Sequence, residues 1–338
     1  MEYELVTPKT LITAPEKSEL DFHPKSFDDY CGQKDLKAKL KLYTDACKLR
    51  NEPLDHLLLF GPPGLGKTTL SQIMAHVLGA GIKICSGPTL ERTGDLVAIL
   101  SSLEARDILF IDEIHRMPAH VEEMLYSAME HFRVDVIIGQ GAGAQSVNVP
   151  ISPFTLVGAT TKAGMISAPL RSRFGITERL DFYQDDELAE IVTKNAAFLD
   201  VKIDQPAAQL VAQCARGTPR IAKGLFRRIR DFAQVTNKSH ATVELVKKAL
   251  EFLGIDHEGL SAVDRQIIKT IMHHFNGGPV GLETIASMIG EDAQTIEDVY
   301  EPFLMRKGYI EKTARGRQIP RTVIPQLVQK CGGQQGLF

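Results

Sequence analysis

The sequence predicts an α/β fold built on a parallel sheet, followed by a helical domain and a small helix-and-hairpin module. Three observations carry this. Short apolar runs at 56–60 (HLLLF), 107–114 (DILFIDEI) and 154–161 (FTLVGATT) alternate with helical segments, as strands buried on both faces of a sheet do. From about residue 184 the strand signals stop and helical periods take over. Three further helical segments, 262–275, 282–290 and 294–307, then run into an arginine-rich stretch with glycine turns.

In order along the chain, residues 1–20 read as a flexible leader, and the polar, acidic start MEYELVTPKT does not resemble a secretory signal. Residues 34–50 place leucines at helical spacing among lysines, an amphipathic helix. The run 56–60 ends in glycines and gives way to a helix from Lys67 to Leu78. Residues 134–152 combine an apolar run, a small-residue turn and an alternating arm, Ser146–Val149, so they read as a β-hairpin. The helix over 183–199 opens on acidic residues, which suit a helix N-terminus. Helices follow over 220–235 and 242–254, and the turn-rich GIDHEGLSAVD marks a boundary near 255. The expected domains are 21–182, 183–254 and 255–338.

Composition excludes more than it identifies. The chain has 338 residues, 43% hydrophobic and 24% charged, with a net charge of −3, which is ordinary for a globular protein. Its five cysteines (31, 47, 85, 214, 331) form no C-x-x-C pair, which argues against a disulfide framework or zinc site and for a reducing compartment. No apolar run reaches the ~18 residues of a membrane span. The expectation is a cytoplasmic protein without membrane contact.

The chemistry lies in a few motifs. GPPGLGKT (61–68) follows a strand and precedes a helix. Gly61, Gly64 and Gly66 let the backbone curl with its N–H groups inward, and the helix N-terminus adds positive potential. Lys67 then reaches the β/γ-phosphates of a nucleotide and the Thr68 hydroxyl ligates Mg²⁺. In LFIDEIHR (109–116) four apolar residues deliver two carboxylates to a strand end. Asp112 suits the Mg²⁺ shell and Glu113 the activation of a water. Thr160 or Thr161, ending the third strand, could sense the γ-phosphate or orient that water.

Three basic features remain. APLRSRFGI (168–176) carries Arg171 and Arg173 with no acid among its nine residues, so these guanidiniums await an anion. In GTPRIAKGLFRRIR (217–230), Thr218 is the expected N-cap and Pro219 the first helical residue. Arg220 then sits in the first turn against the helix dipole, which suggests a nearby anion. Residues 302–321 hold a basic hairpin after three helices, as a winged-helix module would, with Lys312, Arg315 and Arg317 as candidate DNA-phosphate contacts.

In this order the motifs resemble those of an AAA+ ATPase. DHLLLFGPPGLGKTTL, LFIDEIHR, FTLVGATT, PLRSRFGI, GTPRIA, GGPVGLETIA and TIEDVYEPFL further resemble the RuvB family of bacterial branch-migration motors, over about residues 20–320. The resemblance implies an AAA+ P-loop ATPase domain, a small helical lid domain and a C-terminal winged-helix domain. It implies a homohexameric ring that hydrolyses ATP with Mg²⁺ and pumps duplex DNA at Holliday junctions, with RuvA and RuvC as partners. Arg173 corresponds to an arginine finger acting on a neighbouring subunit's ATP, with no partner needed inside its own subunit; Arg171 is its rival. Arg220 corresponds to the second sensor. Tyr183, Thr69, Phe22, His23 and the stretch Glu130, His131, Phe132 fall near the nucleotide. Val147 and Val149 fall where the hairpin docks on RuvA, although hairpin packing would use the same valines. Two departures stand out: His23-Pro24-Lys25 replaces Arg-Pro-Lys, and Thr313-Ala314-Arg315-Gly316-Arg317 lacks a proline at its second place.

From the residues alone, a DNA motor competes with a ring-opening switch, a DNA-binding module with a degenerate ATPase, and a small-molecule kinase. Intact Lys67, Asp112, Glu113 and Arg173 argue against degeneracy. The two hairpins argue against the switch, and a kinase would need neither an outward Arg173 nor a winged-helix tail.

Overall fold

The computed structural model describes residues 22–138, 145–236, 238, 240–325 and 327. The expected leader lies outside them. The chain divides into two compact units. The first holds the chain to Pro62, Gly66–Leu180 and Lys194–Asp200; the second holds Pro63–Leu65, Asp181–Thr193 and the chain from Val201.

In the first unit, α1 (Lys34–Arg50) buries Leu36, Leu40, Thr44 and Cys47, spaced three or four apart as one helix face requires. Strand β1 (Leu57–Phe60) leads through the glycine loop into α2 (Lys67–Leu78), which stops at Gly79 in the left-handed conformation, as glycine C-caps do. Then follow β2 (Ile82–Ser86), α3 (Thr93–Ser101), β3 (Ile108–Asp112) and α4 (Ala119–His131). The antiparallel hairpin β4 (Arg133–Ile138) and β5 (Gln145–Pro150) occupies the expected place, and its turn lies outside the described residues. Strand β6 (Thr155–Thr160), the short helix α5 (Ala168–Ser172) and β7 (Ile176–Arg179) follow.

The five-stranded sheet has the order β2-β3-β6-β1-β7, with every pair parallel. Phe60 pairs with Thr160, and Ile111 with Gly158, so the carboxyl ends of β1, β6 and β3 are adjacent. That edge is where ligands bind in open parallel sheets. β1, β3 and β6 are almost wholly buried, which is why their apolar runs were readable. β2 and β7 are edge strands, only partly buried. Their sequences, IKICS and ITER, lack the buried run and gave no signal.

After α6 (Asp185–Phe198), where the sequence predicts a helix, α7 (Gln205–Cys214), α8 (Pro219–Val235) and α9 (Val243–Phe252) pack together in the second unit. α8 buries Ala222, Leu225, Phe226, Ile229 and Ala233 along one face. Strand pairing does not end at 184: Lys202–Ile203 (β8) and His240–Ala241 (β9) form a two-residue parallel pair, too short to leave a period. Thr218 sits at the N-cap of α8, but its hydroxyl donates to Ala215 O and makes no cap bond.

The C-terminal helices α10 (Ala262–Lys269) and α11 (Leu282–Ile289) precede a helical run from Ala293 to Arg306 with a π turn at Ile296–Tyr300. The hairpin β10 (Glu311–Thr313) and β11 (Gly316–Gln318) follows. Ile267, Ile271, Ile285, Leu304, Ile310 and Ile319 are among the residues of its core. Arg216 binds the fully buried Asp264 and stacks 4.7 Å from the Phe303 ring centre. Asp264 also accepts from Ser261 N–H at 2.7 Å and closes the α10 capping box. Burial pushes the Cys85 and Cys214 thiols up to about 12, so both stay protonated and unreactive. Among the described residues no helix is long and apolar enough to cross a membrane.

Candidate active site

The glycine loop has the shape its sequence requires. Gly61, Gly64 and Gly66 have φ of +145°, +79° and +98°, values that side chains rarely allow. A Cβ on Gly61 would stand 2.4 Å from Leu180 O, and one on Gly66 2.9 Å from the Tyr30 hydroxyl. The Lys67 ammonium is buried and donates to Gly61 O at 2.8 Å and Pro62 O at 3.0 Å. A buried cation on a cradle of backbone carbonyls and glycines fits a phosphate ligand. Thr68 and Thr69 follow it, both half-buried.

Asp112 ends β3, and its carboxylate accepts the Glu113 N–H at 3.0 Å. The strand stops two residues earlier than the run 107–114 suggested. Glu113 takes a left-handed conformation, φ +48°, so a turn separates the two carboxylates. Such a conformation is strained for glutamate and is found at functional sites. Among the described residues no three His, Cys, Asp or Glu side chains cluster as a metal cage. Thr68 and Asp112 carry hard oxygen donors, the type that suits Mg²⁺ held jointly with phosphates.

One link was invisible in the sequence. The His115 ring is 4% exposed, with Nδ1 2.9 Å from the Thr160 hydroxyl and Nε2 3.5 Å from the Glu113 carboxylate. Burial lowers the His115 pKa against the opposing pull of Glu113, so the ring is neutral. Its one hydrogen faces the carboxylate from Nε2, and Nδ1 accepts from Thr160. Thr160 also accepts the Lys162 N–H at 2.9 Å. Its hydroxyl is therefore occupied, and the half-buried Thr161 is the neighbouring candidate at the strand end.

Arg173 follows α5 and is anchored by its neighbour. Phe174 packs over Gly158, where a Cβ would come within 2.9 Å of the ring. Arg173 has partners in its own subunit, although its expected role requires none. Nη2 lies 3.1 Å from Glu130, Nη1 donates to Pro169 O at 2.7 Å, and the guanidinium sits 4.4 Å from the Tyr126 ring centre. Helix geometry produces this: Tyr126 and Glu130 are four apart on α4, hence on one face. Arg171 is exposed and donates to Ala163 O.

Other expected residues divide. Phe22 donates its N–H to Asn195 Oδ1 at 2.8 Å, and its ring meets Phe198 edge-on. His23 and His131 are exposed. Phe132 is half-buried, with its ring packed with His56 and Phe154 against the core. In the second unit the Tyr183 hydroxyl donates to Leu65 O at 3.2 Å, and Arg220 N–H donates to Gly64 O at 3.4 Å. The Arg220 side chain is exposed in the first turn of α8.

Of the wing residues, Arg315 is exposed at the hairpin turn, and Lys312 is half-exposed 2.8 Å from Glu297. Arg317 departs from the expected exposed contact. It is 9% exposed, with Nε 2.5 Å and Nη2 3.2 Å from the carboxylate of Glu301, itself 1% exposed. Its charge is used inside the module. Of the hairpin valines, Val147 is 40% exposed, whereas Val149 packs partly against the core opposite Val134.

Family models match consecutively along the chain: the Holliday junction DNA helicase RuvB P-loop domain over 22–180, the RuvB AAA lid domain over 183–256, and the RuvB C-terminal winged helix domain over 257–327. The chain belongs to the RuvB family. A Holliday junction branch migration complex subunit RuvB from Staphylococcus haemolyticus is 52% identical over 300 residues, 89% of this chain and 91% of that protein. Among solved structures, the Thermotoga maritima RuvB Holliday junction branch migration motor is 48% identical with a TM-score of 0.79, covering 90% of this chain and 98% of that one. A variant of the same Thermotoga protein gives a TM-score of 0.81 at 48% identity, over 91% and 99%. As a RuvB-family member, this chain is a P-loop ATPase and a branch-migration motor with a winged-helix DNA-binding module.

Proposed function

We propose that this RuvB-family motor hydrolyses Mg²⁺-bound ATP as a homohexameric ring around duplex DNA, in the cytoplasm and without membrane contact. The observation that carries this reading is the convergence of Lys67, Asp112, Glu113 and Thr161 on the carboxyl ends of three adjacent parallel strands. Lys67 exchanges its loop carbonyls for phosphate oxygens, and the backbone N–H groups of Gly64–Thr69 surround them. Thr68 and Asp112 hold the metal, which supplies positive charge to the phosphate oxygens. Glu113 polarises the attacking water and Thr161 orients it.

Arg173 completes the site of the neighbouring subunit, a contribution worth roughly 10³–10⁵ in rate for such fingers. Glu130, which pairs with that arginine, and His131 beside it in the chain serve the same nucleotide site. Phe22 and His23 serve the base, while Tyr183 and Arg220 also serve the nucleotide. Residues 21–182 are the ATPase domain, 183–254 the lid and 255–338 the winged helix. Lys312 and Arg315 contact DNA phosphates, so they govern affinity and salt dependence rather than sequence choice. Val147 and Val149 form the apolar contact with RuvA, and RuvC joins on the junction.

The test is ATP hydrolysis by Arg173→Ala mixed with Lys67→Ala, duplex DNA present. Each variant alone is nearly inactive. Recovery in the mixture above both supports a finger acting between subunits. Full activity of Arg173→Ala alone refutes it.

A further inference from the structure

Arg173 is supported by a bracket of residues from α4 and the start of α5. On α4, Glu122, Tyr126 and Glu130 recur every four residues and form one stripe. The lower part of the stripe grips the start of α5. Ser167 caps that helix by accepting Leu170 N–H at 3.2 Å. Its hydroxyl also donates to Glu122 and lies 3.1 Å from the Tyr126 hydroxyl, which donates to Glu122 as well. The upper part of the stripe holds Arg173 at the other end of α5, through the Tyr126 ring face and Glu130.

These two contacts differ in what they leave available. The guanidinium has five N–H donors. One goes to Pro169 O and one to Glu130. Nε is buried without a hydrogen-bond partner among the described residues. The ring face takes no N–H at all; it attracts the cation through its quadrupole and fixes the guanidinium plane. A phosphate arriving from a neighbour competes with Glu130 for donors, and that carboxylate is 47% exposed and cheaply released. It does not compete with Tyr126. The ring contact therefore persists when the anion is engaged, while the Glu130 contact exchanges.

We propose that Tyr126 is a positioning residue for Arg173, a platform that holds the guanidinium flat and pre-oriented for the neighbouring subunit's phosphate. This rests on reading Arg173 as the group that completes a neighbour's site. Without the platform, a long and flexible side chain must be ordered in every encounter. The Tyr126 hydroxyl serves only to fasten the ring to Glu122 and Ser167.

The test uses the full-length protein with duplex DNA. Tyr126→Leu lowers kcat about 10- to 30-fold, which is about 1.4–2 kcal/mol at 1.36 kcal/mol per decade. Its affinity for a fluorescent ADP analogue stays at the wild-type value, because its own P-loop is untouched. Mixing it with Lys67→Ala restores activity, because the Lys67→Ala subunits supply intact fingers to Tyr126→Leu sites. Tyr126→Phe, which keeps the ring, retains most of the rate. Should Leu unfold the unit, Tyr126→Met carries the same expectation. The proposal is overturned if Tyr126→Leu is within twofold of wild type. It is also overturned if the mixture stays inactive while Arg173→Ala with Lys67→Ala recovers. If that second mixture fails too, the finger reading itself falls and the platform with it.

Discussion

Arg317→Ala separates two roles that a wing arginine can play. If it met DNA phosphates, its loss would lower affinity and leave folding intact. The structure places it elsewhere. Its guanidinium binds Glu301 through Nε and Nη2, at 2.5 and 3.2 Å, and its backbone exchanges hydrogen bonds with Val280 at 2.8 and 2.9 Å. Truncation removes the cation and leaves the Glu301 carboxylate buried and uncompensated, since it is 1% exposed. Breaking a buried pair from one side costs about 3–5 kcal/mol. If the second unit melts as one cooperative block, that lowers its melting temperature by about 6–20 °C, at roughly 2–4 °C per kcal/mol. Calorimetry with and without the substitution reads this directly. Replacing both partners, Arg317→Leu with Glu301→Leu, recovers most of the loss, because no buried charge remains. Arg315→Ala, at an exposed site, leaves the melt unchanged and lowers the salt slope of DNA binding by about one. A wild-type melt for Arg317→Ala together with a reduced salt slope would refute this account.

Other outcomes follow from the same geometry. Gly61→Ala drives a Cβ to 2.4 Å from Leu180 O at φ +145°; the strain costs about 1–3 kcal/mol and abolishes nucleotide binding, and a normal nucleotide titration would sink the idea. His115→Ala removes the link between Thr160 and Glu113. It lowers kcat several-fold with nucleotide affinity unchanged, and a raised KM at constant kcat would show that the ring serves binding instead. His56 accepts Leu156 N–H on Nδ1 at 2.9 Å and donates from Nε2 to Met129 O at 3.1 Å, and burial lowers its pKa. Its neutral form belongs to the fold, so its contribution is present above the ordinary histidine value of about 6.5 and is lost as pH falls below it, by up to about 1.4 kcal/mol per pH unit. Melting curves from pH 8 to pH 5 check this: His56→Gln has a lower melting temperature at pH 8 and a flatter profile.

The sequence by itself determined the elements whose signal is local. The strands at 57–60, 108–112 and 155–160 are buried on both faces, so burial wrote an unbroken apolar run into each. The glycine loop was readable because positive φ excludes most other residues. The amphipathic helices α1 and α8 were readable because one face of each meets a core. The edge strands β2 and β7 were not, because a half-exposed strand need not be apolar. What only the tertiary structure decided is which charges are spent. Arg173, Arg315 and Arg317 look alike in the chain, each an arginine beside glycine or serine. One rests on a tyrosine ring and a half-exposed carboxylate, one is exposed at a turn, and one is consumed by a buried glutamate 16 residues upstream. The partner of a charge is set by where remote residues converge on folding, and spacing along the chain carries no record of that.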